Sequence, residues 1–253
     1  MTESTVMTVL VPGAWTGGWI WEPTAERLRD RGIDAESITL RGLEPGESNA
    51  AIADVRLDDH VQQLVEHVRK AGSRPVVLVS HSYSGMVTAS AAERLGDQLI
   101  GLIHVGAFVP RPGRSLLDDW GGSDDERAQE RADIEASGNL WDAPSREMLD
   151  YVSDLAPGDR DRLASKFTAH PGSTILDAAE LSASVQDQPS TYVALTPSGG
   201  FDEAWSAAPP AVKAVAGWRR KHIVSGHWPM ISALDATVGL LDTEIRHYAS
   251  ARS

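Results

Sequence analysis

The sequence predicts an α/β protein in which a mostly parallel central sheet is flanked by helices on both faces. Short apolar runs alternate with amphipathic segments along most of the chain, and strands separated by helices pair in parallel. A chain of 253 residues, 42% of them hydrophobic, is also long enough to bury the core of such a sheet. One charged, alanine-rich stretch interrupts the alternation and indicates a helical insertion.

The predicted elements rest on the spacing of apolar residues and on the glycine and proline residues that mark where elements begin and end. In the helix predicted at 57–70, Val61, Leu64 and Val68 share one face, and Gly72 follows the helix end. Pro75 then introduces a buried strand. The predicted strands are 7–11, 35–40, 76–79, 100–107, 191–196 and 221–224, and the predicted core helices are 21–31, 57–70, 85–95 and 235–248.

The interruption divides the chain into a core, residues 1–110 and 191–253, and a cap, residues 111–190. The cap reads as short helices at 124–137, 145–155 and 159–169, and no strand is predicted in it. An insertion between two strands lies over the carboxyl ends of the sheet, where open α/β sheets bind ligands.

Charge and composition narrow the classes of partner. A net charge of −13 repels phosphate backbones and anionic lipid, so we expect no nucleic acid and no membrane partner. No signal peptide or membrane span is predicted, which favours a cytoplasmic location. The excess of arginine over lysine and the abundant alanine suggest a bacterial genome rich in GC. The expected partner is a small uncharged molecule, and a homodimer stays open as the assembly.

Ser82 is the candidate nucleophile. It follows the apolar run Val76–Val79 in the string Ser80-His81-Ser82-Tyr83-Ser84-Gly85, just before a helical stretch. A serine on a sharp strand-to-helix turn between small residues is the pattern Gly-x-Ser-x-Gly, which holds the hydroxyl clear of the backbone. Here Ser80 and Ser84 replace the two glycines.

Two further motifs follow predicted strands, and together with the Ser82 turn they carry a family resemblance. The first strand leads into Gly13-Ala14-Trp15-Thr16-Gly17-Gly18-Trp19-Ile20-Trp21, and the last leads into Gly226-His227-Trp228-Pro229-Met230. In this order the motifs resemble those of the α/β-hydrolase family, in its branch of small esterases and hydroxynitrile lyases that includes plant methyl-ester esterases. The resemblance covers nearly the whole chain and implies the α/β-hydrolase fold with the insertion as a helical cap.

The resemblance also implies an oxyanion hole. In the family it is formed by two backbone N–H groups, which correspond to Ala14 and Tyr83 here. Pro12 and Thr16 stand where the family has histidines, but a backbone donor does not depend on those side chains.

His227 is the candidate general base, because a histidine can take the serine proton and return it to the leaving group. The alternative is a surface-loop histidine. Of the other histidines, His104 is expected to be a hydrogen-bonded core residue and His81 to point to the other side of the turn. His60, His67 and His247 fall in predicted helices and are expected to be solvated or partly buried, and His170 and His222 have no motif behind them.

The acid of a triad is less defined, because Ser198 occupies the position where the family has aspartate. Asp202, on the glycine-rich loop that follows, is our choice, since the acid need only orient and stabilise the imidazole. Glu203, Asp118 and Asp119 are alternatives. A dyad without any acid, in which Ser198 or a carbonyl orients His227, is another.

Tryptophans near these motifs predict an apolar substrate pocket, which we assign to Trp15, Trp120, Trp141 and Trp228. The glycine-rich stretch 13–18 lacks the lysine of a phosphate loop and the spacing of a dinucleotide motif, and no metal-ligand spacing occurs, so no cofactor is expected.

The leading hypothesis is a serine hydrolase that cleaves a small, partly apolar carboxylic ester or lactone through an acyl-enzyme at Ser82. One alternative is a lyase on the same scaffold, for which the resembling hydroxynitrile lyases suggest a cap lysine, here only Lys166. The other is a non-catalytic ligand-binding relative.

Overall fold

Six parallel strands form the central sheet of the protein, which a computed structural model describes over residues 6–251. Two short antiparallel strands form a separate pair. In chain order the strands are β1 (Met7–Val11), β2 (Asp34–Ser37), β3 (Val76–His81), β4 (Leu99–Val105), β5 (Leu140–Trp141), β6 (His170–Pro171), β7 (Ser190–Thr196) and β8 (Arg219–Val224). The order across the main sheet is β2-β1-β3-β4-β7-β8, and β5 pairs with β6.

Helices cover both faces of this sheet. They are α1 (Glu22–Asp30), α2 (Asn49–Ala53), α3 (Leu57–Lys70), α4 (Ser84–Leu95), α5 (Asp124–Ala136), α6 (Arg146–Leu149), α7 (Pro157–Lys166), α8 (Ser173–Leu176), α9 (Phe201–Ala207), α10 (Pro210–Lys213), α11 (Pro229–Ser232) and α12 (Leu234–Ser250). Alternate residues of β3 divide the core, since Leu78 packs with α3 and α4 whereas Val77 and Val79 pack with α1 and α12. The predicted α/β architecture is therefore confirmed.

Most predicted elements are confirmed to within two or three residues, and the differences lie where tertiary contacts take over. The predicted strand 35–40 ends at Ser37, and the predicted helix 145–155 is helical only over Arg146–Leu149. Beyond α6 the chain turns so that the Asp154 carboxylate reaches the backbone N–H of Gly226. The expectation of no strand in the cap segment was wrong, because Trp141 pairs with His170 in a ladder too short to show a period.

The parallel arrangement gathers the three motifs at one edge of the sheet. The chain leaves β1, β3 and β8 at their carboxyl ends, so the loops that hold Ala14, Ser82 and His227 meet there. Between residues 6 and 251, no helix is both long enough and apolar enough to cross a membrane.

Glu244 of α12 fixes this helix to the sheet through a buried ion pair. Its carboxylate is fully buried and accepts hydrogen bonds from Arg219 Nε (2.6 Å) and Thr191 Oγ1 (2.9 Å), with Lys221 Nζ at 3.2 Å. Burial alone raises the pKa of a carboxyl group, but these donors outweigh it and lower the pKa of Glu244 to about 2.

We expect Glu244→Gln to lower the free energy of unfolding by about 2 kcal/mol at neutral pH, because a charged acceptor of several hydrogen bonds is lost. The difference from wild type should shrink as the pH falls from 4.5 towards 2, where the native carboxylate itself becomes protonated. Urea unfolding monitored by circular dichroism measures both effects. Glu26→Gln, an exposed change on α1, is the control, and equal stability of the two variants would contradict the prediction.

Candidate active site

Ser82 occupies a strained turn between β3 and α4. Its φ is +52°, a left-handed conformation that non-glycine residues adopt only when their surroundings enforce it. The Ser82 carbonyl accepts hydrogen bonds from the N–H groups of Phe108 (3.0 Å) and Gly85 (3.2 Å), which hold the turn. The residue is 7% exposed. This is the geometry of a nucleophile elbow.

The two serines that replace elbow glycines are both hydrogen-bonded. The hydroxyl of Ser84 accepts from His81 N (2.9 Å) and lies 2.8 Å from the carbonyl oxygen of Val11 at the end of β1. Ser80 Oγ lies 2.9 Å from Nδ1 of His104, which is buried in β4 as predicted and stacks on Trp218. Each extra hydroxyl therefore has a partner, which removes the cost of burying it.

Glycine is retained where the elbow touches its neighbours. A Cβ on Gly85 would lie 1.9 Å from the carbonyl oxygen of Phe108, and one on Gly13 would lie 2.8 Å from Nδ1 of His81 and 3.1 Å from Cβ of Ser82. The loop after β1 and the elbow therefore approach each other closely.

The predicted oxyanion donors lie at this approach. Ala14 and Tyr83 are both buried, and across residues 6–251 neither backbone N–H has a protein acceptor. Buried N–H groups are almost always paired, so two unpaired ones beside a strained serine point to an anion-binding role.

Residues of the cap segment hold the first of these donors in place. Trp15, which follows Ala14, has a φ of +63°. Its N–H donates to His170 Nδ1 (3.4 Å), its carbonyl accepts from Thr168 N (3.0 Å), and its indole N–H donates to Trp141 O (3.1 Å). The oxyanion loop is thus fixed by contacts from residues 141 to 170.

A buried hydrogen-bond network holds the side chain of Tyr83, the second predicted donor. The hydroxyl of Tyr83 is 2.8 Å from His60 Nδ1, and His60 Nε2 donates to the carbonyl of Arg41 (2.7 Å). Nδ1 of His60 must therefore accept a hydrogen bond from the Tyr83 hydroxyl. Burial lowers the pKa of His60 to about 4, which keeps this ring neutral. Tyr83 is anchored at its side chain, and its backbone N–H is held with it.

His227 lies in the loop after β8, against the residue that precedes the nucleophile. The rings of His81 and His227 are 4.8 Å apart, and His81 Nε2 donates to the carbonyl of His227 (2.7 Å). His81, which we expected to point to the other side of the turn from Ser82, therefore contacts the loop that holds His227. His227 is exposed, but the side chains around its ring displace part of its water and lower its pKa, so the imidazole is neutral and able to accept a proton at neutral pH.

No hydrogen bond joins Ser82 Oγ to the His227 ring in the described part of the chain. Contacts between a nucleophile and its base are often loose without substrate and tighten in the reacting complex. His81 links the two residues, since it precedes Ser82 in the chain and contacts His227 in space.

The structure does not bring Asp202 to His227. Asp202 is exposed in the first turn of α9, and its carboxylate makes no hydrogen bond or ion pair with any residue from 6 to 251. The alternatives are also engaged elsewhere: Glu203 folds over Gly199, Asp118 accepts from Ser115 N, and Asp119 pairs with Arg111 and Arg114.

A carboxylate that the sequence did not indicate contacts the loop of His227 instead. Asp154, from the loop after α6, accepts hydrogen bonds from Gly226 N (2.6 Å) and from Ser225 Oγ (3.4 Å). Neighbouring side chains displace water from part of the His227 ring and lower its pKa, and the Asp154 charge opposes that shift. Asp154 has no motif around it, so only the docking of the cap segment reveals the contact.

Aromatic side chains form a row from the oxyanion loop to His227. Centroid distances are 4.2 Å for Trp15 with Trp141, 6.5 Å for Trp15 with Phe167, 6.1 Å for Phe167 with Trp228 and 5.0 Å for Trp228 with His227. Three of the four predicted pocket residues are therefore brought together, and Phe167 joins them. Trp120 makes no ring contact within the described chain.

Other chemistry finds little support at this edge. Lys166 Nζ lies 5.0 Å from the ring centroid of Trp19, in a cation–π contact on α7, and has no contact with Ser82. Within residues 6–251, no group of three or more His, Asp or Glu side chains is arranged to hold a metal ion.

Comparison with known proteins identifies similar sequences. The carbendazim hydrolyzing esterase of Nocardioides sp. (strain SG-4G) is 35% identical over 109 residues, which are 43% of this chain and 45% of that protein. Methylesterase 18 of Arabidopsis thaliana is 32% identical over 108 residues, 42% of this chain and 40% of that protein. The matches thus span less than half the length of these curated relatives.

Solved structures and a family pattern match much more of the chain. An extracellular alpha/beta-hydrolase from a Paenibacillus species superimposes with a TM-score of 0.77 at 18% identity, over 93% of this chain and 98% of that one. A methylesterase from Arabidopsis gives 0.72 at 17% identity, over 96% and 99%. These likenesses show a shared fold. The pattern of the alpha/beta hydrolase family matches residues 8–240, and the chain therefore belongs to that family.

Proposed function

We propose that the protein is a carboxylic ester hydrolase that works through an acyl-enzyme at Ser82. The observation that carries this proposal is the strained Ser82 turn, beside two buried N–H groups without an acceptor among residues 6–251, with His227 in contact with His81, the residue before Ser82. Relatives named as a carbendazim hydrolyzing esterase and a methylesterase also support ester chemistry.

In the proposed reaction, His227 takes the hydroxyl proton of Ser82 while Oγ attacks the ester carbonyl carbon. The N–H groups of Ala14 and Tyr83 bind the oxyanion that forms, an effect typically worth about 3 to 4 kcal/mol for each donor. The imidazolium then protonates the alcohol as the C–O bond breaks. Water, deprotonated by His227, attacks the acyl-enzyme and releases the acid and Ser82.

The substrate that fits this site is a small, uncharged and partly apolar ester or lactone. The row formed by Trp15, Trp141, Phe167 and Trp228 supplies an apolar wall between the oxyanion loop and the base. A chain with net charge −13 disfavours an anionic substrate. The lactone alternative, the cytoplasmic location, the bacterial origin and the homodimer stay predictions from the sequence.

Labelling with a fluorophosphonate tests the nucleophile. We expect the wild-type protein to be labelled and to hydrolyse short p-nitrophenyl esters, and Ser82→Ala to lose labelling and at least about 1,000-fold in kcat, because no other hydroxyl lies at the elbow's strained position. Ser90→Ala, which removes a buried hydroxyl on α4, is the matched control. Lack of labelling and turnover in the wild type would overturn the proposal, as would equal labelling of Ser82→Ala.

The pH dependence tests the base. Because the His227 imidazole must be neutral to take the Ser82 proton, we expect kcat/KM to fall on acidification as His227 is protonated, at or below the ordinary histidine pKa of about 6.5. Ester hydrolysis followed at the isosbestic wavelength of p-nitrophenol, with circular dichroism to verify folding at each pH, measures this limb. A kcat/KM that does not fall on acidification while the protein stays folded would contradict the assignment of His227 as the base.

A further inference from the structure

The position where the family resemblance places the acid holds no carboxylate in this protein. After β7 the chain continues as Pro197-Ser198, and the space between this loop and His227 is a cavity of about 340 Å³. Apolar side chains dominate its wall, among them Leu195, Pro197 and Ala208, and no Asp or Glu of the described residues lines it. Any carboxylate that supports His227 must therefore reach it from another direction.

Asp154 approaches the base from the cap segment. Its Oδ2 atom accepts the backbone N–H of Gly226, the residue directly before His227, at 2.6 Å. The same oxygen lies 3.4 Å from Ser225 Oγ, which also lies 2.8 Å from Ser232 Oγ and 3.1 Å from the carbonyl oxygen of Gly226. This carboxylate thus contacts the two residues that precede the base.

Gly226 makes this approach possible. A Cβ at Gly226 would lie 2.3 Å from Oδ1 of Asp154, far inside van der Waals contact. Its φ is not in the left-handed region, so backbone conformation does not require glycine there. Close contact with the Asp154 carboxylate is the reason that the structure gives for a glycine before the base.

We propose that Asp154 is the positioning residue of His227, in place of the acid after β7: its carboxylate fixes the loop before the base and its negative charge stabilises the imidazolium. The inference rests on the proposed ester hydrolysis. It also makes the base depend on the docked cap segment, because the carboxylate comes from outside the sheet.

The titratable groups around His227 determine the direction in which loss of the Asp154 charge shifts the His227 pKa. His81, from β3, is buried, which lowers its pKa to about 3 and keeps its ring neutral. Tyr192 lies across the cavity, and its hydroxyl donates a hydrogen bond to Ala107 O (3.2 Å). Asp154 is then the charged side chain that acts on His227. Removing its charge disfavours the imidazolium and lowers the pKa of His227.

Asp154→Asn tests the charge while it leaves an oxygen to accept from Gly226, and Asp202→Asn is the matched control on the loop after β7. For p-nitrophenyl ester hydrolysis we expect Asp154→Asn to lower kcat about tenfold with KM within about twofold, and to move the acid limb of kcat/KM to lower pH. Asp202→Asn should match the wild type. Melting temperatures check that both variants are folded.

Gly226→Ala provides a second variant that leaves Asp154 in the sequence but displaces its carboxylate. We expect it to lower kcat as Asp154→Asn does, and the double variant to be no slower than the slower single variant, since both changes act on one contact.

The outcomes separate this inference from the proposed function. An active, fluorophosphonate-labelled wild type with an Asp154→Asn variant unchanged in kcat and acid limb would overturn the role of Asp154 and leave the hydrolase intact. Loss in Asp202→Asn but not in Asp154→Asn would assign the acid to the loop after β7. A wild type that is neither labelled nor active would overturn both.

Discussion

The strained turn at Ser82 is the constraint on which the site depends. A left-handed serine between a strand and a helix persists only if its peptide groups are held, and the N–H groups of Phe108 and Gly85 hold them. The turn also leaves the Tyr83 N–H without an acceptor among residues 6–251. It also requires close neighbours without side chains, which explains why Gly13 and Gly85 have no room for a Cβ.

Paired polar contacts allow this turn to form without two of its usual glycines. The Ser84 hydroxyl links the ends of β1 and β3, and the Ser80 hydroxyl meets His104 on the neighbouring strand. Replacing glycine with serine at such a position adds a buried hydroxyl, which is tolerated only with a partner. The elbow and its surroundings therefore form one hydrogen-bonded unit. A substitution at His104 that removes its ring would leave the buried Ser80 hydroxyl without this partner.

The cap segment takes part in the site and does more than cover it. Through Trp15, it fixes the loop that holds Ala14, the proposed oxyanion donor, and through Asp154 it contacts the loop that holds His227. The position of Ser82, the proposed nucleophile, depends on the sheet and its turn, whereas the loops of Ala14 and His227 also depend on contacts from residues 141 to 170. Changes in the cap segment are thus expected to reach the chemistry through loop positions as well as through substrate contacts.

The sequence by itself determined the α/β sheet, the strand-turn-helix position of Ser82 and the order of the three motifs, because these depend on local periodicity and on the rule that parallel strands end at one edge. It also located Trp15, Trp141 and Trp228 near the site. Only the tertiary structure decided that His81 contacts His227, that Phe167 joins the aromatic row, and that Asp154 rather than Asp202 lies beside the base. Asp154 and Gly226 are 72 residues apart, and their contact arises from how the cap segment packs on the sheet, a result of shape and burial that no local pattern encodes.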